Sequence, residues 1–219
     1  MSSPLSAPIL QPLPRLYAIV DRACFGAGPD VAAPIAAFAC KLMAGGVALI
    51  QYRNKIGSAP ETLSHCRELR RVCYAWPAVR LIVNDRVDLC LAAGFDGVHV
   101  GQEDLPPEAV RQVMGNRPWV GISTHCPEQV READRWPVDY VAIGPVFPTA
   151  SRANPSPVIG LEGVRSARRL TAKPLVAIGG ITRANCRAII DAGADSVAVI
   201  ADLLGDPQQA AEEFLRILG

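Results

Sequence analysis

Ala93-Gly94-Phe95-Asp96-Gly97-Val98-His99-Val100 and, near the other end of the chain, Ala192-Gly193-Ala194-Asp195-Ser196-Val197-Ala198-Val199 follow one pattern, A-G-x-D-x-V-x-V. Each copy reads as a helix that ends at glycine and re-enters a sheet, because a residue closing a helix commonly takes positive φ, which costs glycine little. Ala44-Gly45-Gly46-Val47 is a looser version ahead of another apolar run. The junctions from helix into strand therefore look alike, while those from strand into helix differ strongly from one another. That asymmetry fits a (β/α)8 barrel, in which the strand-to-helix loops carry the chemistry and the opposite junctions carry stability.

Working outward, short aliphatic or β-branched runs alternate with longer amphipathic segments, the signature of βα units and a parallel sheet. Eight strands are predicted: Leu16 to Val20, Leu49 to Tyr52, Leu81 to Val83, Val98 to Val100, Val120 to Ser123, Tyr140 to Ile143, Leu175 to Ile178 and Val197 to Ile200. Leu63, Cys66, Leu69 and Val72 show the helical spacing expected between them. An open doubly wound sheet would alternate in the same way, but eight regular units within 219 residues argue for closure. The expected architecture is a single α/β (β/α)8 TIM barrel over residues 15–219, preceded by a flexible leader over residues 1–14.

The bulk numbers narrow the function. Lys and Arg total 22 against 21 Asp and Glu, so no basic surface advertises nucleic acid and no acidic arm stands out. The first residues lack a basic start, and no apolar run approaches a membrane span. Seven cysteines without a C-x-x-C pair fit buried thiols in a reducing cytosol better than disulfides or a zinc site. A cytoplasmic protein acting on small molecules is expected; a homo-oligomer is left open.

The polar residues gather after the strands. Gln51, Arg53 and Lys55 follow the second, Asn84 and Asp85 the third, and His99, Gln102 and Asp104 the fourth. Ser123, Thr124 and His125 follow the fifth. Arg53 offers a planar fork to phosphate oxygens and Lys55 a point charge, while Gln51 and Asn84 orient a polar substrate. Asp85 and Asp104 suit a hard cation such as Mg²⁺, which takes one or two carboxylates and leaves its other positions to water and phosphate. They equally suit ordinary turns and helix caps. Gly179-Gly180, with Ile181 and Thr182 read as opening a helix, offers backbone N–H groups to a second anion beside Ile200 and Ala201, or simply permits close packing. His65 reads as helix surface. His99 points either into the barrel mouth or into the core, and His125 is a candidate acid or base.

The ordered set Gln51-x-Arg53-x-Lys55, Asn84-Asp85-Arg86-Val87-Asp88-Leu89, Gly97-Val98-His99-Val100-Gly101-Gln102-Glu103-Asp104, Ser123-Thr124-His125, Gly144-Pro145-x-x-Pro148-Thr149 and Ala177-Ile178-Gly179-Gly180-Ile181 closely resembles the thiamine phosphate synthase family. The resemblance implies a (β/α)8 barrel that condenses hydroxymethylpyrimidine diphosphate with hydroxyethylthiazole phosphate, releasing diphosphate with the help of Mg²⁺. It assigns the pyrimidine diphosphate to Gln51, Tyr52, Arg53, Asn54, Lys55, Asn84, Ser123 and Arg152, with His99 a further substrate-binding residue. Asp85 and Asp104 become the metal ligands, Thr149, Ser151, Gly180, Ile200 and Ala201 take the thiazole phosphate, and Ala150 is a further substrate-binding residue. Arg53, Lys55, Ser123 and Arg152 would be catalytic, by ionising the C–O bond to diphosphate before the thiazole nitrogen attacks. Two positions depart from the family pattern: Arg152 stands where Lys is usual, and Ala201 where Ser is common. A thiazole tautomerase built on the same barrel, using His125, and a non-catalytic barrel that binds thiamine precursors are the alternatives.

Overall fold

The structure, a computed structural model, describes residues 12–26, 31–149 and 157–219. Eight parallel strands close in chain order, each paired with the next and the last with the first. They are β1 Leu16–Asp21, β2 Leu49–Arg53, β3 Arg80–Asn84, β4 Gly97–Val100, β5 Trp119–Thr124, β6 Tyr140–Ile143, β7 Leu175–Ile178 and β8 Ser196–Val199. The helices are α1 Ala32–Ala44, α2 Ala59–Cys73, α3 Val87–Ala93, α4 Pro107–Met114, α5 Pro127–Arg135, α6 Gly160–Leu170, α7 Cys186–Asp191 and α8 Pro207–Leu218. The TIM barrel expected from the sequence is the observed fold.

Local chemistry explains the element ends. Ser58 caps α2 by accepting from the Glu61 N–H, with Pro60 in the first turn, where a missing N–H costs nothing. Asp206 caps α8 in the same way, through the Gln209 N–H. Gly94 closes α3 in the left-handed conformation at φ 66°, as the A-G-x-D pattern implied.

Alternation along the strands sorts two apolar layers. Ala18, Val20, Ile50, Val83, Val98, Val120 and Val141 face outward and join the buried faces of the helices in one large core. Tyr17, Ile19, Leu49, Ile82, Trp119, Tyr140, Ala142, Val176 and Ala198 fill the barrel, which is a packed interior rather than a pore. Leu13, within the segment read as a leader, is buried with this inner set. Burying whole aliphatic and aromatic side chains is worth roughly 1.5–3 kcal/mol apiece.

The aspartates of the sequence repeat have a specific task. Asp96 stands directly before β4, and its carboxylate accepts the Leu81 N–H of β3 at 2.8 Å and Arg70 of α2 at 2.8 Å. Asp195, before β8, accepts the Leu175 N–H at 2.8 Å and Arg168 of α6 at 2.8 Å. A third copy lies at Asp139, before β6, which accepts the Val120 N–H at 2.6 Å and Arg111 of α4 at 2.6 Å. Each clamp ties a helix to two adjacent strands at their N-terminal ends. Before β2 the corresponding residue is Ala48, so the first pair of strands has no such clamp.

Candidate functional site

The C-terminal strand ends surround a cavity of about 640 Å³, within the usual range for small-molecule sites. Because side chains alternate along β2, Gln51 and Arg53 turn inward to line it while Tyr52 turns outward. The Arg53 guanidinium is held from behind by the Asp21 carboxylate. Asp21 is itself buried and fixed by the Ala23 N–H at 3.0 Å. An arginine braced this way presents its remaining donors to the cavity without having to give up side-chain freedom on binding.

Lys55 reaches across to pair with Asp85. Asp85 has φ of 62°, and among the described residues it alone, apart from glycines, has positive φ. Its N–H donates to the His99 carbonyl at 2.7 Å, so the β3–β4 pairing continues one residue past β3 while the chain turns to direct the carboxylate inward. Strained backbone of this kind costs about 1–3 kcal/mol and concentrates at functional sites. The Asp104 carboxylate accepts the Gly101 N–H at 2.7 Å and approaches Asp85. Burial raises the Asp85 carboxyl above the ordinary range; Lys55 opposes that shift and Asp104 adds to it. Two carboxylates facing one another beside a partly open cavity form an oxygen donor set with excess negative charge. That set fits a hard divalent cation whose other ligands are water and phosphate.

Deeper in the barrel, His99 stacks on the Tyr140 ring and lies between Tyr140 and Ser123, with Nδ1 3.0 Å from the Tyr140 hydroxyl and Nε2 2.9 Å from Ser123 Oγ. Burial pushes its pKa down to about 4, leaving a neutral ring at pH 7. Gln102 holds the Ser123 carbonyl at 2.6 Å. His125 lines the cavity with Nδ1 2.7 Å from the Gly144 carbonyl, a contact that makes Nδ1 a donor.

The far wall explains the glycine pair. Val146 and Phe147 donate to the Ile178 and Gly179 carbonyls at 2.9 and 3.0 Å, continuing the β6–β7 pairing into the loops. Gly179 and Gly180 have φ of 103° and 63°, and a Cβ on Gly180 would stand 2.5 Å from the Pro148 carbonyl oxygen. Close packing therefore requires both glycines, and the same turn lines the cavity. The helix expected to open at Ile181 does not begin there. The Thr182 N–H is taken by Asn185 Oδ1 at 2.8 Å, forming a turn, and α7 starts at Cys186. Beyond Ile200 a short 3-10 turn, Ala201–Leu203, closes the wall, and the Arg183 N–H and guanidinium bind Asp202 at 2.7 and 3.1 Å to join the two loops.

Gln51, Arg53, Lys55, Asn84, Asp85, His99, Asp104, Ser123, Thr149, Gly180, Ile200 and Ala201 thus share one cavity. Two expected site residues stand outside it. Tyr52 is buried between barrel and helices with its hydroxyl 2.6 Å from His65 Nδ1, which also corrects the reading of His65 as surface. Asn54 is a scaffold: its side chain accepts the Gly57 N–H at 2.8 Å and donates to Thr62 Oγ1 at 3.0 Å, shaping the loop that carries Lys55. Ala150, Ser151 and Arg152 lie outside the described residues. Tyr17, Tyr140 and Asp21 were missed by the sequence reading. Strand alternation groups Tyr17 with Ile19, and Tyr140 with Ala142, both of which line the cavity, but does not by itself say which group faces inward.

Comparison with known proteins places the whole chain rather than its individual site residues. A family model described as thiamine monophosphate synthase matches residues 16–203. The chain is 64% identical over 206 residues to the thiamine-phosphate synthase of Koribacter versatilis, covering 94% of this chain and 96% of that one. It is 39% identical over 205 residues to the thiamine-phosphate synthase of Chloroflexus aurantiacus, with 93% and 92% covered. Among solved structures, the thiamine phosphate pyrophosphorylase of Pyrococcus furiosus superposes with a TM-score of 0.81 at 32% identity, covering 93% of this chain and 95% of that one.

Proposed function

Since this chain belongs to the thiamine monophosphate synthase family, we propose that it joins hydroxymethylpyrimidine diphosphate to hydroxyethylthiazole phosphate, forming thiamine phosphate and free diphosphate. The observation that carries the reading is the concentration of Arg53, Lys55, Asn84, Asp85, Asp104 and Ser123 on one cavity at the C-terminal strand ends. Arg53 and Lys55 supply positive charge where a diphosphate gathers negative charge as it leaves, and Asn84 and Ser123 supply neutral donors. Groups held in advance, as Arg53 is by Asp21, need little reorganisation when that charge develops, and this favours breaking the C–O bond before the thiazole nitrogen attacks.

Asp85 and Asp104 would hold Mg²⁺, whose contribution when bound is to neutralise the departing diphosphate. The thiazole phosphate is assigned to the wall of Thr149, Gly180, Ile200 and Ala201, on the far side of the cavity from the carboxylates. Arg152, Ser151 and Ala150 are proposed to complete the two phosphate sites. No helix among the described residues is long and apolar enough to cross a membrane, and a cytoplasmic location is part of the same proposal.

The deciding experiment supplies both precursors with Mg²⁺ and follows thiamine phosphate and diphosphate together, then supplies the carboxylated thiazole isomer alone. Equal amounts of the two products in the first arm and no aromatisation in the second are expected. Aromatisation without condensation would assign the cavity to tautomerisation through His125, and neither reaction would leave a binding barrel.

A further inference from the structure

A line of polar groups crosses the barrel along the floor of the cavity. Gln51 Nε2 donates to the Tyr17 hydroxyl at 2.8 Å, the Tyr17 and Tyr140 hydroxyls are 2.9 Å apart, His99 Nδ1 is 3.0 Å from Tyr140, and Nε2 is 2.9 Å from Ser123 Oγ. Tyr17, Tyr140, Gln51 and His99 are all buried, and the bonds among them are too, while the bond to Ser123 is partly buried at the cavity.

The proton count along the line favours one direction. An amide nitrogen only donates, so the Tyr17 oxygen accepts from Gln51 and its single proton goes to Tyr140. Tyr140 then has its own proton to give to His99 Nδ1. A neutral imidazole that accepts at Nδ1 carries its proton on Nε2, and that proton goes to Ser123 Oγ. We propose that Gln51 sets the direction of this chain, and that Tyr17, Tyr140 and His99 act as positioning residues. Together they hold the Ser123 oxygen as an acceptor from His99 and turn the Ser123 hydroxyl proton toward the cavity.

Run in the opposite direction, the same atoms would spend the one Ser123 proton on His99 and offer the cavity only a lone pair. The difference matters for an anionic ligand: one direction presents it with a donor and the other with a repulsive oxygen. The value of the orientation for catalysis rests on the proposed diphosphate chemistry, but the orientation itself belongs to the free protein.

The test is long-range ¹H–¹⁵N correlation on ¹⁵N-histidine-labelled protein without substrates, with His99 assigned by its loss in His99→Asn. The wild type is expected to show His99 protonated on Nε2 alone at neutral pH; protonation on Nδ1 overturns the proposal. In Gln51→Glu at about pH 9, an ionised carboxylate accepts from Tyr17 and reverses every bond. The proton is then expected to move to Nδ1, and an unmoved proton would remove Gln51 as the origin of the direction. Because no turnover is read, failure here is distinct from failure of the proposed reaction. The wild-type spectrum decides the direction even if the variant does not fold.

Discussion

Replacing Asp139 by alanine tests whether the strand-entry clamps are a main source of barrel stability. Its carboxylate serves the Val120 N–H and Arg111, each at 2.6 Å. Val120 is fully buried, so its amide loses its acceptor with no water in place, at a cost of about 1–3 kcal/mol. Arg111 keeps the Pro137 and Pro118 carbonyls at 2.8 and 2.6 Å, and the ion pair is partly open to solvent, so its share is held to about 0.5–1 kcal/mol. The sum, about 1.5–4 kcal/mol, corresponds to a fall in melting temperature of roughly 3–16 °C for a chain of this size. Asp139→Asn keeps an oxygen for Val120 and is expected to lose about half as much. Urea unfolding followed by circular dichroism, for Asp139→Ala, Asp139→Asn, Arg111→Ala and the double variant, separates the amide contribution from the ion pair. A loss below about 0.5 kcal/mol for Asp139→Ala, or equal losses for Ala and Asn, would refute the reasoning. Turnover at 25 °C should stay near wild type, because the clamp sits at the end of the barrel away from the cavity.

Three further outcomes follow from the site. Asp85→Ala and Asp104→Ala should each lower turnover by roughly 100-fold or more and weaken Mg²⁺ uptake in calorimetry with a wild-type circular dichroism spectrum; undiminished Mg²⁺ uptake would move the metal elsewhere. Arg53→Ala removes a charge-assisted donor worth about 1.5–3 kcal/mol, so KM for the pyrimidine diphosphate should rise by about 10- to 100-fold with little change for the thiazole phosphate; equal changes would mean the two phosphate sites are wrongly divided. His99 has a folded pKa of about 4 against an ordinary 6.5, so the unfolded chain binds its proton first as pH falls. Unfolding free energy should therefore drop by about 3 kcal/mol from pH 6.5 to 4 and level off below, on account of this residue. His99→Asn should lack that part of the slope, and parallel pH profiles would rule it out.

How far the fold could be read from the sequence depended on periodicity and junction chemistry. Each strand begins and ends within one residue of its expected bounds, because both faces of a barrel strand are buried and the apolar runs stop abruptly at polar rims. The same double burial hid the interior: nothing in Leu16-Tyr17-Ala18-Ile19 says which alternate set faces inward until the barrel closes. Tyr52 was drawn into the site by its neighbours Gln51 and Arg53, although alternation sends it to the other face. The Asp96 and Asp195 repeat looked like packing punctuation, since the Leu81 and Leu175 amides they serve lie in other strands. The third copy at Asp139 escaped because Trp136-Pro137 replaces the Ala-Gly lead-in. Asp21 was invisible for a similar reason, as its partner Arg53 comes from the next strand.

Gly121 faces Tyr140 across the β5–β6 pairing, and a Cβ placed on it would come within 2.0 Å of the Tyr140 ring and 2.4 Å of its hydroxyl oxygen. The two positions therefore behave as one volume shared by two strands. A methyl at 121 evicts the ring and cuts the polar line, so even alanine is forbidden while tyrosine remains. Truncation at 140 would leave a hole that a larger residue at 121 could fill, restoring packing but not the hydroxyl. Mutational drift at this point of the barrel is thus a paired event: stability can be regained by a second substitution, whereas the orientation of the Ser123 hydroxyl is lost with the first.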